Sequence, residues 1–154
     1  MEVRSHCPIN FTLEHFGDKW SFLIIRDLMF KGKRHYNEFL EAGEKVSTSV
    51  LGDRLKKLEE AGIITRGEDT VKKSRIRYSL TQKGIDLLPI LIEMIVWGGF
   101  KDEFTESPKE FLEQATQNRE ALIREIKKNL INAHLKGDNQ IKSKKIRGKL
   151  QPPY

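Results

Sequence analysis

Residues Ser47 to Gly62 read as one short helix with both ends written into the chain. Ser47 is placed to accept a hydrogen bond from a first-turn N–H, and Gly62 can take the left-handed backbone that ends a helix without steric cost. At about 100° per residue, Leu51, Leu55 and Leu58 share one narrow face, while Ser49, Asp53, Lys56 and Glu60 fall on the other. Alone, this is an ordinary amphipathic surface helix. Its surroundings restrict it further. Ile63 to Arg66 reads as a short strand, Gly67-Glu68-Asp69-Thr70 as a polar loop, and Arg75 to Leu80 alternates basic or polar with apolar. Upstream, Tyr36 to Leu40 reads as a short helix and Ala42 to Val46 as a turn. A short helix, a turn, a capped second helix and a basic hairpin spell a winged helix-turn-helix, whose second helix enters a major groove while the hairpin lies along phosphates. The expected fold class is mainly α with a small β-hairpin.

The rest of the chain supplies scaffold. Cys7-Pro8 is extended, because a residue before proline avoids the helical region. Thr12 is expected to cap a short first helix with Leu13 and Phe16 inward, ending near Gly17. Asp18 then caps a helix over 19–30, with Trp20, Leu23, Ile24 and Leu28 at core spacing and Gly32 closing it. After the hairpin, Thr81 is expected to cap a long helix in which Pro89 kinks or breaks the hydrogen-bond ladder and Gly98-Gly99 loosens the end. Leu87 to Trp97 is apolar nearly all the way round, and one small domain covers only one side of such a helix. A second copy of the chain is the simplest cover for the other. Ser107-Pro108 opens a further helix running to about Leu135, with Phe111, Ala115, Leu122, Ile126, Leu130 and Ala133 in a stripe expected to pack more firmly at its C-terminal half. The expected organisation is a winged domain over 1–106, an additional C-terminal helix over 107–135, and a basic, disordered tail over 136–154.

Charge bears on the partner. The 154 residues carry a formal +6, which favours an anionic partner. Six basic residues against Asp138 give 136–154 a charge of +5 and leave 1–135 at +1, so a DNA-facing surface in the body must come from local clustering. Cys7 is the single cysteine, which excludes an intrachain disulfide and favours a reducing, cytoplasmic setting. The longest apolar run is broken by Glu93 and falls short of the roughly 20 residues of a membrane helix, so no membrane partner is expected.

For DNA contact the first turns of the second helix are the candidates, Thr48, Ser49, Gly52 and Asp53, with Lys56 and Lys57 nearer the phosphates. Arg54 lies on the flank toward the apolar face. In the wing, Arg75 and Arg77 point away from Ile76, Tyr78 and Leu80 because strand side chains alternate. Lys72 and Lys73 lie at the loop, where basic side chains neutralise phosphates with little sequence information. The turn Lys33-Arg34-His35 is a further candidate for backbone contact. Trp20 and Trp97 read as packing residues. His6, His15, His35 and His134 lack metal-ligand spacing, and no phosphate-binding glycine loop or catalytic triad pattern is present. No metal, cofactor or enzymatic activity is expected.

These residues resemble the HxlR-type family of bacterial transcription regulators over roughly residues 7–100. The landmarks are Cys7-Pro8, Gly17-Asp18-Lys19-Trp20, Tyr36-Asn37-Glu38-Phe39, Val50-Leu51 through Arg54 to Glu59, Gly62-Ile63-Ile64, Tyr78-Ser79-Leu80-Thr81 with Gly84, and Trp97-Gly98. The resemblance implies a winged-helix homodimer that binds double-stranded DNA at an inverted repeat, with terminal helices forming the dimer interface. Because some relatives use the cysteine at this position to detect oxidants or electrophiles, the resemblance offers Cys7 as a redox sensor, and His6 and Arg4 are close enough in sequence to favour the thiolate. The other reading, a small buried residue packing the start of the first helix, stays open. The chain departs from the family pattern at Ser49, Gly52, His35, Lys73-Ser74 and Arg77, which makes the recognition helix less basic and the wing more so. A reading from another class stays open: a dimeric winged-helix interaction module that contacts protein or RNA without operator binding. The basic wing discriminates between the two.

Overall fold

A computed structural model of the chain describes residues 4–136. The elements are α1 (Pro8–Phe16), α2 (Ser21–Phe30), α3 (Tyr36–Leu40), α4 (Thr48–Glu60), β1 (Ile64–Glu68), β2 (Ile76–Leu80), α5 (Gln82–Ile85), α6 (Leu88–Lys101), α7 (Lys109–Gln117) and α8 (Arg119–His134). The two strands pair antiparallel, with Ile64 opposite Leu80, Arg66 opposite Tyr78 and Glu68 opposite Ile76. This is the winged helix-turn-helix: α3 and α4 form the helical pair and β1–β2 the wing. The first strand runs through Gly67 and Glu68, two residues the sequence placed in the loop.

One apolar cluster holds the elements together. It joins Ile25 and Leu28 of α2, Leu51, Leu55 and Leu58 of α4, Ile64, Tyr78 and Leu80 of the hairpin, Ile85 of α5, and Leu88 and Ile92 of α6. Burying each such side chain is worth about 1.5–3 kcal/mol, so the apolar face of α4 anchors the helix while leaving its polar face outward. Phe111 of α7 and Leu122, Ile126 and Leu130 of α8 belong to the same cluster.

Several elements differ from the sequence reading. Helix α1 begins at Pro8 with Cys7 as its N-cap residue, since proline at the first helical position loses no needed N–H. Thr12 lies inside that helix and donates its hydroxyl proton back to the Pro8 carbonyl (2.9 Å). Leu13 is exposed rather than inward. Thr81 caps only the short α5, accepting from Gly84 N–H (3.1 Å). The chain breaks before α6, where Pro89 falls in the first turn and disturbs no ladder. Gly98 and Gly99 lie within α6 instead of loosening its end; a methyl group at Gly99 would collide with Leu112 of α7. The stretch read as one helix to Leu135 is two, broken at Asn118 (φ −129°, ψ 40°). Its N-terminal part is packed as firmly as its C-terminal part, with Phe111, Leu112 and Ala115 all buried. The expectation of a disordered tail falls on residues that, past Lys136, lie outside those described.

Candidate nucleic-acid interface

The polar face of α4 is set by its first turn and by the turn before it. Ser47 Oγ accepts the Val50 N–H (3.3 Å), the expected cap. Gly62 adopts φ +71° and ends the helix, and its neighbour Ile63 donates back to the Leu58 carbonyl (2.9 Å). In the preceding turn Lys45 is left-handed (φ 57°), and Glu44 pairs with Arg26 of α2, Nη2 donating to Oε2 at 3.1 Å. That guanidinium, which also holds buried Asp27 at 2.8 Å, pulls the Glu44 carboxyl down to about 2. Tyr36 donates its hydroxyl proton to the Thr48 carbonyl (2.8 Å), which ties α3 to the start of α4. Asp18 accepts from the N–H groups of Trp20 (2.7 Å) and Ser21 (2.8 Å) and lies 3.5 Å from Arg54. It therefore braces the turn into α2, which starts at Ser21 with Trp20 and not Asp18 as its N-cap residue, and steadies the flank of α4 as well.

Thr48, Ser49, Gly52, Asp53, Lys56 and Lys57 are all exposed. Asp53 sits 3.1 Å from Lys57 and 3.6 Å from Arg54, and Lys56 lies 3.9 Å from Glu60. The charges on this face balance one another, while Ser49 and the bare Gly52 backbone stand in front. No atom lies within 4 Å of where a side chain would begin at Gly52.

In the wing, Lys72, Lys73 and Arg75 are exposed at the tip. Arg77 is partly exposed and reaches Thr70 Oγ1 (3.4 Å). Tyr78 and Leu80 turn into the core, whereas Ile76 is 41% exposed. Asp69 shapes the tip: its Oδ1 accepts the N–H groups of Val71 (2.8 Å) and Lys72 (2.9 Å), and its own N–H donates to the Arg75 carbonyl (2.8 Å). The tip thus presents Val71, 93% exposed, beside the two lysines.

The basic turn before α3 does not face outward as expected. Arg34 Nε donates to the Tyr78 carbonyl (2.7 Å), Nη2 to Ser79 Oγ (2.6 Å) and Nη1 to the Ala133 carbonyl (3.4 Å). His35 lies between Glu38 and Asp69. At the end of α8, His134 Nδ1 accepts the Leu80 N–H (3.0 Å). Sequence reasoning does not find Arg34, His35, Asp69 and His134 as positioning residues. Their partners across the fold lie 34 to 106 residues away along the chain, and no local pattern marks such pairings.

Cys7 is exposed. The N–H groups of Asn10 and Ile9 in the open first turn of α1 hold its thiol below the ordinary value. Arg4 is turned to Glu14 instead (2.5 Å), so the helix end and not that side chain favours the thiolate. Among the described residues no group of three or more His, Cys, Asp or Glu is placed to hold a metal ion, and no helix is long and apolar enough to cross a membrane.

The sequence profile of the HxlR-like helix-turn-helix family matches residues 15–106. The chain belongs to that family. It is 41% identical over 88 residues to an uncharacterized HTH-type transcriptional regulator of Synechocystis sp., a match covering 57% of this chain and 64%, just under two thirds, of the relative. It is 34% identical over 101 residues to the HTH-type transcriptional regulator YybR of Bacillus subtilis, covering 66% of this chain and 80% of that one. Among solved structures it resembles the redox regulator HypR in its oxidized form, with TM-score 0.54 and 33% identity over 63% of this chain and 99% of the other. As an HxlR-type protein the chain is a transcription regulator and not an enzyme. The family match includes α3, α4 and the wing; Cys7, α7 and α8 lie outside it.

Proposed function

We propose that the protein is a homodimer that binds an inverted-repeat operator, with α4 in the major groove and the wing along the phosphate backbone. The observation that carries this reading is the arrangement of α4: its leucines are buried in the core, and Thr48, Ser49, Gly52, Asp53, Lys56 and Lys57 all remain exposed. Lys72, Lys73, Arg75 and Arg77 supply phosphate contacts from the wing. The second copy covers the apolar row on α6, where Ile90, Met94, Trp97 and Phe100 are exposed, together with Ile9, Phe11 and Leu13 of α1. Two recognition helices on a two-fold axis read half-sites about one turn apart, ~10 bp centre to centre. Selection of bound duplexes from a random library tests the reading: an inverted repeat of that spacing is expected. A stable monomer at micromolar concentration, or recovery of no preferred sequence, overturns it.

Cys7 supplies the signal in this proposal. The exposed, activated thiol sits on α1 beside the apolar residues offered to the partner copy, so oxidation there changes how the two recognition helices are spaced. Mild oxidant is expected to change operator affinity in the parent and not in Cys7→Ser. A Cys7→Ser protein that responds as the parent does removes the sensor role and leaves the DNA-binding role standing.

A further inference from the structure

One imidazole joins the helix-turn-helix to the wing tip. His35, at the N-cap of α3, places Nδ1 against Glu38 Oε1 and Nε2 against Asp69 Oδ2 (2.5 Å). A neutral imidazole has one N–H to donate; a ring whose two nitrogens both face carboxylate oxygens needs two. Only the imidazolium satisfies both contacts. On losing a proton, one nitrogen turns a lone pair toward a carboxylate.

The consequence reaches the DNA-facing surface through Asp69. This side chain is buried, and the oxygen not used by His35 holds the Val71 and Lys72 N–H groups that fold the tip. The remaining charges around the cluster come from α3, the turn before it and the wing. Arg75 of the wing lies 3.8 Å from Glu38 Oε1. Arg34 donates its backbone N–H to that same oxygen (3.3 Å), while its guanidinium is taken up by Tyr78 and Ser79. The Lys72 N–H, then His35 and the Val71 N–H, hold Asp69 well below the usual carboxylate range. Burial works to raise Glu38, but His35, the Arg34 N–H and Arg75 outweigh it and keep it low as well. Both carboxylates that face the imidazole are thus held in the charged form.

We propose that His35, in its doubly protonated form, is a positioning residue that latches the wing tip to α3, so that operator binding is coupled to one proton on this side chain. The inference rests on the DNA-binding reading above. With the latch closed, Lys72, Lys73 and Val71 are held in one arrangement; with it open, ordering the tip must be supplied by DNA binding itself. Affinity therefore falls as rising pH removes that proton. One linked proton sets an upper limit of about tenfold per pH unit.

The test has two arms. In the first, a fluorescein-labelled duplex recovered by selection is titrated with full-length protein at fixed salt from about pH 6 to pH 8. The dissociation constant of the parent is expected to rise several-fold. In His35→Arg, which keeps donors and a permanent charge, the rise is lost and affinity stays high. In Asp69→Asn, whose oxygen stays with the tip and whose NH2 can donate to a neutral ring, the rise is also lost. A His35→Arg protein with the parent's pH dependence overturns the proposal and assigns the effect to another group, His134 at the base of the wing being the next imidazole. The second arm uses the DNA-free protein and stands if no duplex binds. Nitrogen chemical shifts of the His35 ring report its charge directly, and the Val71 and Lys72 amide resonances should move along the same titration curve. Amides that stay still while the ring titrates, or a ring already neutral at pH 6, overturn the latch without touching the DNA-binding reading.

Discussion

The recognition helix and the wing present opposite kinds of surface. On α4 each exposed cation has an acidic neighbour, Lys57 with Asp53 and Lys56 with Glu60, and the hydroxyls of Thr48 and Ser49 and the bare backbone of Gly52 stand between them. At the wing tip Lys72 and Lys73 stand on a loop whose acid, Asp69, is turned inward, and Arg75 beside them has one acidic neighbour, Glu38 of α3, at 3.8 Å. Balanced charge leaves room for hydrogen bonds to base edges, while concentrated positive charge attracts phosphates of any sequence. The two regions also differ in how they are held. Helix α4 is fixed by apolar burial along its whole length; the wing tip is fixed by a few polar contacts around one carboxylate.

The largest effect separates these two kinds of support. Leu55, on the buried face of α4, is 3% exposed, so Leu55→Ala should destabilise the fold by about 2–5 kcal/mol. Ile76, in the wing, is 41% exposed, and Ile76→Ala should stay within about 0.5 kcal/mol. Urea unfolding monitored by circular dichroism measures both. Equal losses would show that the outer part of the wing, like its base, is held by apolar packing.

The second effect separates affinity from sequence preference. Replacing Lys72 and Lys73 by Ala should weaken binding to every duplex and lower the salt slope by roughly 0.9 for every phosphate no longer neutralised. Ser49→Ala or Asp53→Ala should instead change which base is preferred, with discrimination shifting by about 1–3 kcal/mol at one position of each half-site. Binding to a panel of single-base operator variants at several salt concentrations reads both quantities. A lysine variant that alters base preference with the salt slope intact would reverse the assignment of the two regions.

The same contrast explains what the sequence could convey. Helix α4 is legible because its cap, its apolar spacing and its terminating glycine lie within sixteen consecutive residues, each acting on its neighbours. The break at Asn118 is not, since neither proline nor glycine marks it and the apolar stripe continues past it from Ala115 to Leu122. The start of α1 is misplaced for a related reason: proline reads as a boundary, but here it is the helix's own first residue. The polar bracket of Arg34, His35, Asp69 and His134 is legible only in composition. Basic side chains in a turn read as solvated or phosphate-facing until the hairpin and α8 are folded against them.

Gly52 offers a smaller effect that acts in opposite directions on stability and binding. Its neighbourhood is open, so an alanine there meets no obstruction and should stabilise the helix by about 1 kcal/mol. If the bare backbone is what allows α4 close to the bases, the same change should weaken operator binding while thermal stability rises. A Gly52→Ala protein that is both more stable and fully active would show that no close approach occurs at this position.

The smallest effect sharpens the comparison through the sign of its pH dependence. The turn leading into α4 is anchored by Glu44 on Arg26, a hydrogen-bonded pair that draws the carboxyl from its ordinary 4.5 to about 2. A carboxylate depressed in the folded state contributes stability above its unfolded value and loses it as pH falls through the folded one. This anchor is therefore intact at neutral pH and released by acid, between about pH 4.5 and 2. Because the Glu44 side chain is 39% exposed, solvent screening keeps the contribution modest. Glu44→Gln should lower stability slightly at neutral pH and flatten the acid limb of the stability curve, as measured by urea unfolding across that range. The latch on the wing runs the other way, closed by a proton and opened as pH rises. Acid thus loosens the support of the recognition helix while base loosens that of the wing. A Glu44→Gln protein whose acid limb matches the parent's would mean that α4 draws its orientation from the core alone.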